Sequence, residues 1–369
     1  MTDRTPEEVA FDIFAQTYDG GDPVSLPAID IVVTVDFESN FYATATLTLS
    51  EISDETFALL DPRQGPPPQV DWRVDQLALD SAGAWQIIGT LPVSPDSTNH
   101  ATMLVREVER DHISGNVIVQ LAGGESILEE RRRVSGTALN TGQGNVANLV
   151  YWAILDCFPG ATTPSFGPLA SSTTIPVGDR RLMYQGESFA DLIQPELDAI
   201  DYRLIDFFGR AWTCGARSTT SGTTLKLATY KGAPSDADPI VTGLTESASR
   251  NGDWADGVLI QYEWPNGTPA YHGALTNNTR TLSIKRDRPS PPTNAATPML
   301  DRTLVRGYKI EAIARARFGI TLGEASGISP QPLEIHTPTR ILSGRLTAVE
   351  WRIGEGEMTL RAQTGSEIA

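Results

Sequence analysis

Short segments with alternating apolar residues are the feature that most constrains the fold of this chain. The segment IDIVVTVDF places Ile29, Ile31, Val33, Val35 and Phe37 on one face with a period of two, which is the period of a β-strand with one buried face. Segments of the same kind follow at short intervals: YATATLTLS, WRVDQLALD, WQIIGTLPV, MLVREVERD and NVIVQLA. Short strands at regular spacing predict a small β-barrel or sandwich.

Helical periodicity appears next, in NVANLVYWAILDCF, where one apolar face runs from Val146 to Ile154 and Pro159 and Gly160 end the helix. Strand patterns return in TLKLATYK, DGVLIQYEW, RTLSIKR, RILSGRLTAVEWRIG and EMTLRAQ. Before the last two of these, DRTLVRGYKIEAIARARFG predicts a further helix from a cap at Asp301 to Gly319.

The segment ESFADLIQPELDAIDYRLIDFFGRAWTC, residues 187–214, combines two predicted elements. Ser188 can cap a helix, with Asp191 at the acidic position of a capping box. Pro195 falls inside that helix and predicts a kink or a short break. The end of the segment reads as a β-hairpin in which Gly209 would supply a positive φ.

Charge and length exclude several classes of protein. The 369 residues carry a net charge of −17, which argues against nucleic-acid binding as the main function. The basic run Arg131–Arg133 follows Glu129 and Glu130 and is interpreted as a solvated charged turn. No stretch approaches the ~20 consecutive apolar residues of a membrane helix, and the acidic N-terminus does not resemble a secretory signal. We therefore expect no membrane insertion by this chain and folding in a cytoplasm.

Candidate chemical groups are present but form no recognisable catalytic motif, so we predict no catalytic, cofactor-binding or metal-binding residue. Cys157 and Cys214 are interpreted as buried thiols. The histidines, His100, His112, His272 and His336, have no metal-site or catalytic spacing.

The acidic and aromatic candidates each have a structural interpretation and a functional alternative. Asp198 and Asp201 are interpreted as solvated helix charges rather than a catalytic carboxylate pair. Asp253 and Asp256 are interpreted as a polar turn rather than a calcium site. Sequon-like triplets begin at Asn266 and Asn277. Core packing is the expected role of six tryptophans, with a sugar-binding platform as the alternative: Trp72, Trp85, Trp212, Trp254, Trp264 and Trp351.

The order of the elements resembles a known family. Strands of a first barrel precede NLVYWAILDCFPG, which precedes the helix and hairpin of residues 187–214, the strand series around NGDWADGVLIQYEW and the closing strands RLTAVEWRIGEGEMTLRAQ. This order resembles the tail baseplate hub family of tailed bacteriophages, which includes hubs of contractile-tail phages and the minor tail proteins of siphophages.

The resemblance implies a β-rich α+β fold with two tube-type antiparallel β-barrels joined by a small α/β connecting domain. The implied divisions, by residue number, are an N-terminal extension (1–24), a first barrel (25–139), the connecting domain (140–214), a second barrel (215–290 with 331–369) and a helical insertion (291–330).

The resemblance also implies a function without catalysis. The chain would form a homotrimeric hub ring at the virion tail tip, assembled in the cytoplasm of the host bacterium. The ring would join a distal tail protein or tail tube above to tip or fibre proteins below, with tape-measure protein or DNA passing through its lumen. Two alternatives stay open: a carbohydrate-binding distal tail or surface-attachment module, and an enzyme that uses paired carboxylates.

Overall fold

The computed structural model describes residues 7–363, except 19, 40, 64–65, 81–83, 92–99, 160, 162, 176–177, 179–181, 208–210, 218–222, 232, 234–240, 251–253, 264–267, 278, 292, 317 and 319–330. Strands make up 49% of the described residues and helices 17%, which confirms the predicted β-rich class.

The first part of the chain forms strands β1 to β8 with one short helix. These elements are β1 (Glu7–Gln16), β2 (Val24–Ser25), β3 (Ala28–Asp36), β4 (Ala43–Leu49), α1 (Asp54–Leu59), β5 (Gln69–Leu79), β6 (Trp85–Leu91), β7 (Ala101–Arg110) and β8 (Val117–Ala122). All of the strands predicted here are present, and β5 and β6 form the predicted antiparallel pair.

Residues 125–216, named here the connecting unit, contain most of the helices. Its elements are α2 (Glu125–Glu130), β9 (Leu139–Asn140), α3 (Val146–Cys157), β10 (Ser165–Phe166), α4 (Pro168–Ser172), β11 (Leu182–Met183), α5 (Phe189–Ala199), β12 (Tyr202–Phe207) and β13 (Ala211–Ala216). The predicted face of α3 is buried from Val146 to Ile154. The predicted hairpin is confirmed as the antiparallel pair β12–β13, and Gly209 lies outside the described residues.

The last part of the chain is again rich in strands. Its elements are β14 (Leu225–Ala228), β15 (Val241–Ala248), β16 (Gly257–Tyr262), β17 (Ala270–Leu275), β18 (Thr281–Arg286), α6 (Ala296–Val305), β19 (Tyr308–Arg315), β20 (Pro332–His336), β21 (Ile341–Arg352) and β22 (Glu357–Gln363).

One 14-stranded sheet joins the two ends of the chain. Its main path is β15-β19-β22-β21-β3-β4-β8-β7-β5-β1-β2, and β6, β14 and β20 branch from it. The two halves meet where β3 pairs antiparallel with β21, with Val33 opposite Trp351 and Val35 opposite Val349. A single hydrophobic core runs under both halves. Within the described residues these strands form open sheets, and no closed barrel is found.

Strand β3 shows why one residue departs from the predicted alternation. Ile31, Val33, Val35 and Phe37 are buried, but Ile29 is 52% exposed. The β3–β4 register shifts between Ala28 and Asp30, so Ile29 sits at a β-bulge, and such a bulge breaks the alternation of faces.

The helix predicted over 301–319 is wrong in its position. The observed helix α6 ends at Val305, and residues 308–315 form strand β19. Two features explain the difference. Any side chain at Gly307 would collide with the ring of Trp254, so only glycine permits this close turn. Beyond it Ile310, Ala312 and Ala314 are buried with a period of two, which is strand periodicity.

The sheets also cut across the implied domain divisions. Strand β1 pairs with β5 over its whole length, so residues 7–16 belong to the large sheet rather than to an extension. Strands β16, β17 and β18 form a separate three-stranded sheet. That sheet shares a small core with α6, whereas β14 and β15 of the same predicted barrel join the large sheet.

We predict that the β3–β21 junction is a main source of stability. Replacing Trp351→Ala is expected to lower the free energy of unfolding by about 3–5 kcal/mol, because a large buried side chain leaves a cavity. Trp85→Ala is the matched control, since Trp85 is 42% exposed and Trp351 only 3%. Urea unfolding followed by circular dichroism measures both, and equal losses would contradict the prediction.

Candidate functional site: an arginine junction

Helix α5 begins as predicted and leads to the centre of the molecule. The Ser188 hydroxyl accepts a hydrogen bond from the Asp191 backbone N–H at 3.0 Å, and the Asp191 carboxylate accepts one from the Ser188 N–H at 2.9 Å. This reciprocal pair satisfies two of the otherwise unpaired N–H groups at the helix start. The predicted capping box is therefore confirmed.

Of the kink or short break predicted at Pro195, the break is wrong, because α5 runs without interruption from Phe189 to Ala199. Proline lacks an N–H and cannot bond the carbonyl of Asp191, which costs a helix about 3 kcal/mol. Burial of the stripe that includes Leu192 and Leu197, both 0% exposed, opposes that cost. Packing against the connecting-unit core thus preserves the helix.

The end of α5 enters a cluster of charged side chains that we name the arginine junction. Its members are Arg203, Arg217, Arg286, Arg302, Arg306 and Arg345 with the acids Glu38, Asp198 and Asp201. These residues belong to the β3–β4 turn, the α5–β12 region, β18, α6, β21 and the segment that follows β13. The junction therefore touches the large sheet, the connecting unit and the separate three-stranded sheet.

Asp198 is the acid with the most partners. Its carboxylate lies 3.6 Å from Arg217, 3.1 Å from Arg286 and 3.8 Å from Arg302. The side-chain amide of Gln194 donates to it at 2.9 Å. Asp198 is 6% exposed, so its interpretation as a solvated helix charge is wrong.

Asp201 is also part of the junction rather than a solvated charge. Its carboxylate pairs with Arg302, whose side chain is only 5% exposed. Asp201 adopts φ 56°, a left-handed conformation that aspartate tolerates better than most residues. This turn joins α5 to β12 and places both acids on the same arginine.

Glu38 connects the junction to the large sheet. Its carboxylate pairs with Arg306 and lies 3.4 Å from Arg345. Arg345 also donates to the Arg217 carbonyl at 2.9 Å. Burial alone would raise the pKa of Glu38, but Arg306, Arg345 and Arg217 outweigh it and the pKa is lowered.

Arg203 holds the β3–β4 turn by its carbonyl groups. Its guanidinium donates to the carbonyl oxygens of Asp36 (3.2 Å), Phe37 and Ser39. Burial lowers the pKa of Arg203 and lowers that of Arg217 to about 10, and both groups stay cationic at neutral pH. One planar group with several donors can thus fix a whole turn.

A pair of buried acids lies beside the junction. The Asp206 carboxylate accepts a hydrogen bond from the Gly124 N–H at 2.6 Å, and the Glu125 carboxyl accepts one from the Asp206 N–H at 2.8 Å. Glu125 is 6% exposed and Asp206 3%. These bonds connect the start of α2, just after the large sheet, to β12.

A cavity of about 660 Å³ adjoins the acid pair. Glu125 and Pro195 line one wall and Arg286 and Arg288 line another. The arginines are already paired, Arg286 with Asp198 and Arg288 with Glu187 at 2.7 Å. The positive charges of Arg286 and Arg288, which could attract an anion, are therefore already balanced by acids of the same protein.

Comparison with known proteins identifies the fold. No protein-family profile matches the sequence, and no curated protein matches it. Three solved structures illustrate the similarity. A tail protein from Neisseria meningitidis MC58 has a TM-score of 0.57 at 9% identity, with 96% of each chain covered. The 43 kDa tail protein of prophage MuSo2 from Shewanella oneidensis has 0.58 at 10% identity, with 96% of this chain and 98% of that chain covered. Prophage tail protein gp18 from Listeria monocytogenes EGD-e has 0.50 at 8% identity, with 97% and 95% covered.

The chain has the fold of phage tail proteins. The match spans nearly the whole chain in both directions, so the tail-protein fold includes the connecting unit and the separate three-stranded sheet as well as the large sheet. The predicted resemblance to the phage tail and baseplate family is confirmed at the level of the fold.

Within this tail-protein fold, one serine–histidine pair resembles a catalytic dyad. The Ser290 hydroxyl lies 2.9 Å from Nε2 of His272. However, Nδ1 of His272 accepts the backbone N–H of Ala295 at 3.2 Å, so in the neutral ring Nε2 carries the proton and donates to Ser290. A ring in that tautomer cannot remove the serine proton. The pair instead holds the loop before α6.

The tryptophans mostly fill cores of the tail-protein fold. Trp72, Trp212 and Trp351 are at most 7% exposed, which confirms core packing for these three. Trp254 is half-buried, with the Arg250 guanidinium 5.1 Å from its ring centre. Trp85 is 42% exposed, and Trp264 lies outside the described residues. The described tryptophans therefore form no platform of several exposed rings.

The remaining predicted residues have structural roles. Asp256 accepts hydrogen bonds from the backbone N–H groups of Thr279 (2.9 Å) and Arg280 (2.7 Å), which is the predicted polar turn. Asp253 lies outside the described residues. Both cysteines are free and buried, and burial raises the pKa of Cys157 to about 11 and that of Cys214 to about 12.

The basic run is solvated, as predicted, and it also forms surface ion pairs. Arg131 pairs with Asp156 at 3.5 Å, and Arg132 pairs with Asp191 at 3.2 Å. These contacts join the end of α2 to α3 and to the start of α5. Asn277 is exposed and Asn266 lies outside the described residues.

The described residues offer neither a metal site nor a membrane-spanning helix. Across the described ranges, no group of three or more His, Cys, Asp or Glu residues could hold a metal ion. Of the helices in the described part of the chain, none is long and apolar enough to cross a membrane.

We predict that Asp198 is a central stabilising residue of the junction. Asp198→Asn is expected to lower the free energy of unfolding by about 3–5 kcal/mol, because it leaves buried guanidinium groups without their counter-charge. Asp287→Asn is the control, since the Asp287 side chain is 86% exposed; it should change stability by less than about 0.5 kcal/mol. Similar urea midpoints for Asp198→Asn and the wild type would refute a central role.

The lowered pKa of Glu38 predicts acid sensitivity. A carboxyl whose pKa is lower in the folded than in the unfolded chain stabilises the fold. This stability is complete at a pH above the unfolded-state pKa, near 4.5, and it is lost as the pH falls through the folded-state pKa. The difference in free energy of unfolding between the wild type and Glu38→Gln should therefore be largest near neutral pH and should shrink below the unfolded-state pKa near 4.5. Urea titrations at several pH values measure it, and Glu109→Gln, at an exposed site on β7, should show no such trend. A difference that stays constant with pH would contradict the assignment.

Proposed function

We propose that this protein is a structural component of a phage tail tip that forms a trimeric hub ring around the tail lumen. The carrying observation is the β3–β21 ladder, which joins two strand sets of one chain side by side in a single sheet. The tail-protein fold supports the assignment to a tail or baseplate.

Two strand sets in each chain suggest how such a ring would match its neighbours. Three copies, each with two tube-type units, would present six similar units to a sixfold tail tube. The same three copies would keep threefold symmetry towards the tip. Rings of this kind arise when different surfaces of successive copies meet and the rotation closes. The adaptation from sixfold to threefold symmetry is part of our proposal.

Charge supports a lumen that lets DNA pass. The chain has 46 acidic and 29 basic residues, and several of its arginines are inside the fold: Arg203, Arg288 and Arg302 are at most 5% exposed. Buried acids such as Asp198 and Asp206 accompany these arginines, so the excess of acidic over basic residues is carried mainly by the surface. An acidic wall does not retain a polyanion, because nucleic-acid affinity depends on neutralising phosphates.

The proposed partners follow from the position of the ring. A distal tail protein or the tail tube would lie above it and tip or fibre proteins below it, with tape-measure protein or DNA in the lumen transiently. Assembly would take place in the host cytoplasm. The proposed role needs no catalysis and no cofactor, and the serine–histidine pair described above is not arranged for catalysis.

Stoichiometry tests the proposal. We expect three copies per tail, measured by quantitative mass spectrometry of purified virions, and a native mass near three times 39.9 kDa for the isolated ring. The major tube protein of the same virions, counted against ring number, serves as the internal control. A copy number that is not divisible by three in intact tails would overturn the trimeric hub.

A further inference from the structure

The acid pair Glu125–Asp206 lies within the connecting unit, next to the point where the chain enters it from β8 of the large sheet. Glu125 begins α2, three residues after β8 ends at Ala122, and Asp206 lies on β12. The Asp206 carboxylate accepts a hydrogen bond from the N–H of Gly124, the residue before Glu125, and the Glu125 carboxyl accepts one from the N–H of Asp206. The pair therefore holds these two segments together directly.

The second oxygen of Glu125, Oε2, is buried and has no hydrogen-bond partner among the described residues. It lies against Gly123, where any Cβ would collide with it. At Gly124 a Cβ would lie 2.8 Å from the Trp212 ring and 3.1 Å from that of Phe158. The close packing leaves a carboxylate at Oε2 without a compensating donor, whereas a neutral carboxylic acid carries no such charge.

The charged groups on β12 act on Glu125 in opposite directions. Asp206 is a second acid and adds to the effect of burial, whereas Arg203 lowers the pKa of Glu125 but is outweighed; its guanidinium also donates to three carbonyl groups. Burial raises the pKa of Tyr42, just before β4, so that phenol is neutral. The cavity walls add Glu129, Asp191, Lys285, Arg286, Asp287 and Arg288. Of these, Lys285 pairs with Glu263, Arg286 with Asp198 and Arg288 with Glu187.

We propose that Glu125 is a proton-controlled latch: as a neutral acid it holds α2 against β12, and its ionisation in alkaline solution loosens α2 from β12. Burial, and then the neighbouring Asp206, raise the pKa of Glu125 to about 8. The inference does not depend on the hub assignment, because it concerns a contact within one chain.

The sign of the pH effect follows from proton linkage. The folded chain keeps a proton on Glu125 that the unfolded chain releases near pH 4.5, the ordinary value for glutamate. The stability that this proton contributes is complete at a pH below the unfolded-state pKa and is lost as the pH rises through the folded-state pKa of about 8. For a single proton the folding equilibrium constant falls by up to about tenfold per pH unit across this range.

Hydrogen exchange followed by mass spectrometry tests the latch on the full chain from about pH 6 to about pH 9, a range that brackets the raised value. After correction for intrinsic exchange rates, the wild type should lose protection in 125–130 and 202–207 before it does so in β3 and β21. Glu125→Gln, which cannot ionise, should keep its protection across the range. Glu109→Gln removes an exposed acid on β7 and should behave like the wild type.

Two outcomes would overturn the proposal. One is equal pH dependence of the two segments in the wild type and in Glu125→Gln; the other is loss of protection throughout the molecule at the same pH. If Glu125→Gln fails to fold, infrared spectroscopy of the wild type decides. The band of a protonated carboxyl should be present at neutral pH and disappear above about pH 8, and its absence at neutral pH would refute the latch.

Discussion

The arginine junction is the interaction on which the architecture depends. Strands can pair along their edges within each sheet, but among the described residues the connecting unit and the separate three-stranded sheet have no strand ladder to the large sheet. Charged contacts link them instead, through Asp198, Asp201 and Glu38. Because buried charges are stabilising only when they are paired, each unit completes a charge set that it cannot satisfy alone. The relative placement of the units thereby becomes specific.

The large sheet has a different role, because it makes two strand sets into one body. Pairing of β3 with β21 brings together residues more than 300 positions apart in sequence, such as Val33 and Trp351. One core then lies under both sets. In the proposed ring this continuity would extend from one chain to three. Stability within each chain and symmetry between chains would then rest on the same sheet.

The two acids Glu38 and Glu125 show that local surroundings can shift the pKa of the same kind of side chain in opposite directions. Glu38 has two arginines at its carboxylate, and its pKa is lowered. Glu125 has a second acid beside it and an oxygen with no partner, and its pKa is raised. Glu38 lies at a contact between units and Glu125 at a contact within the connecting unit. The first therefore weakens its contact in acid and the second in base, so the assembled chain is most firmly held between these limits.

The local elements can be predicted from the amino-acid sequence, because alternation, helical periodicity and capping residues act over a few neighbours. The strand faces of β3 and β4, the start of α5 at Ser188 and the β12–β13 hairpin were all predictable. Tertiary structure decided where local signals compete or where partners are distant. Gly307 ended α6 early because Trp254 occupies its side-chain position, and packing kept α5 whole through Pro195. The arginine junction could not be predicted, since its members are spread from Glu38 to Arg345 and become neighbours only when the sheets assemble.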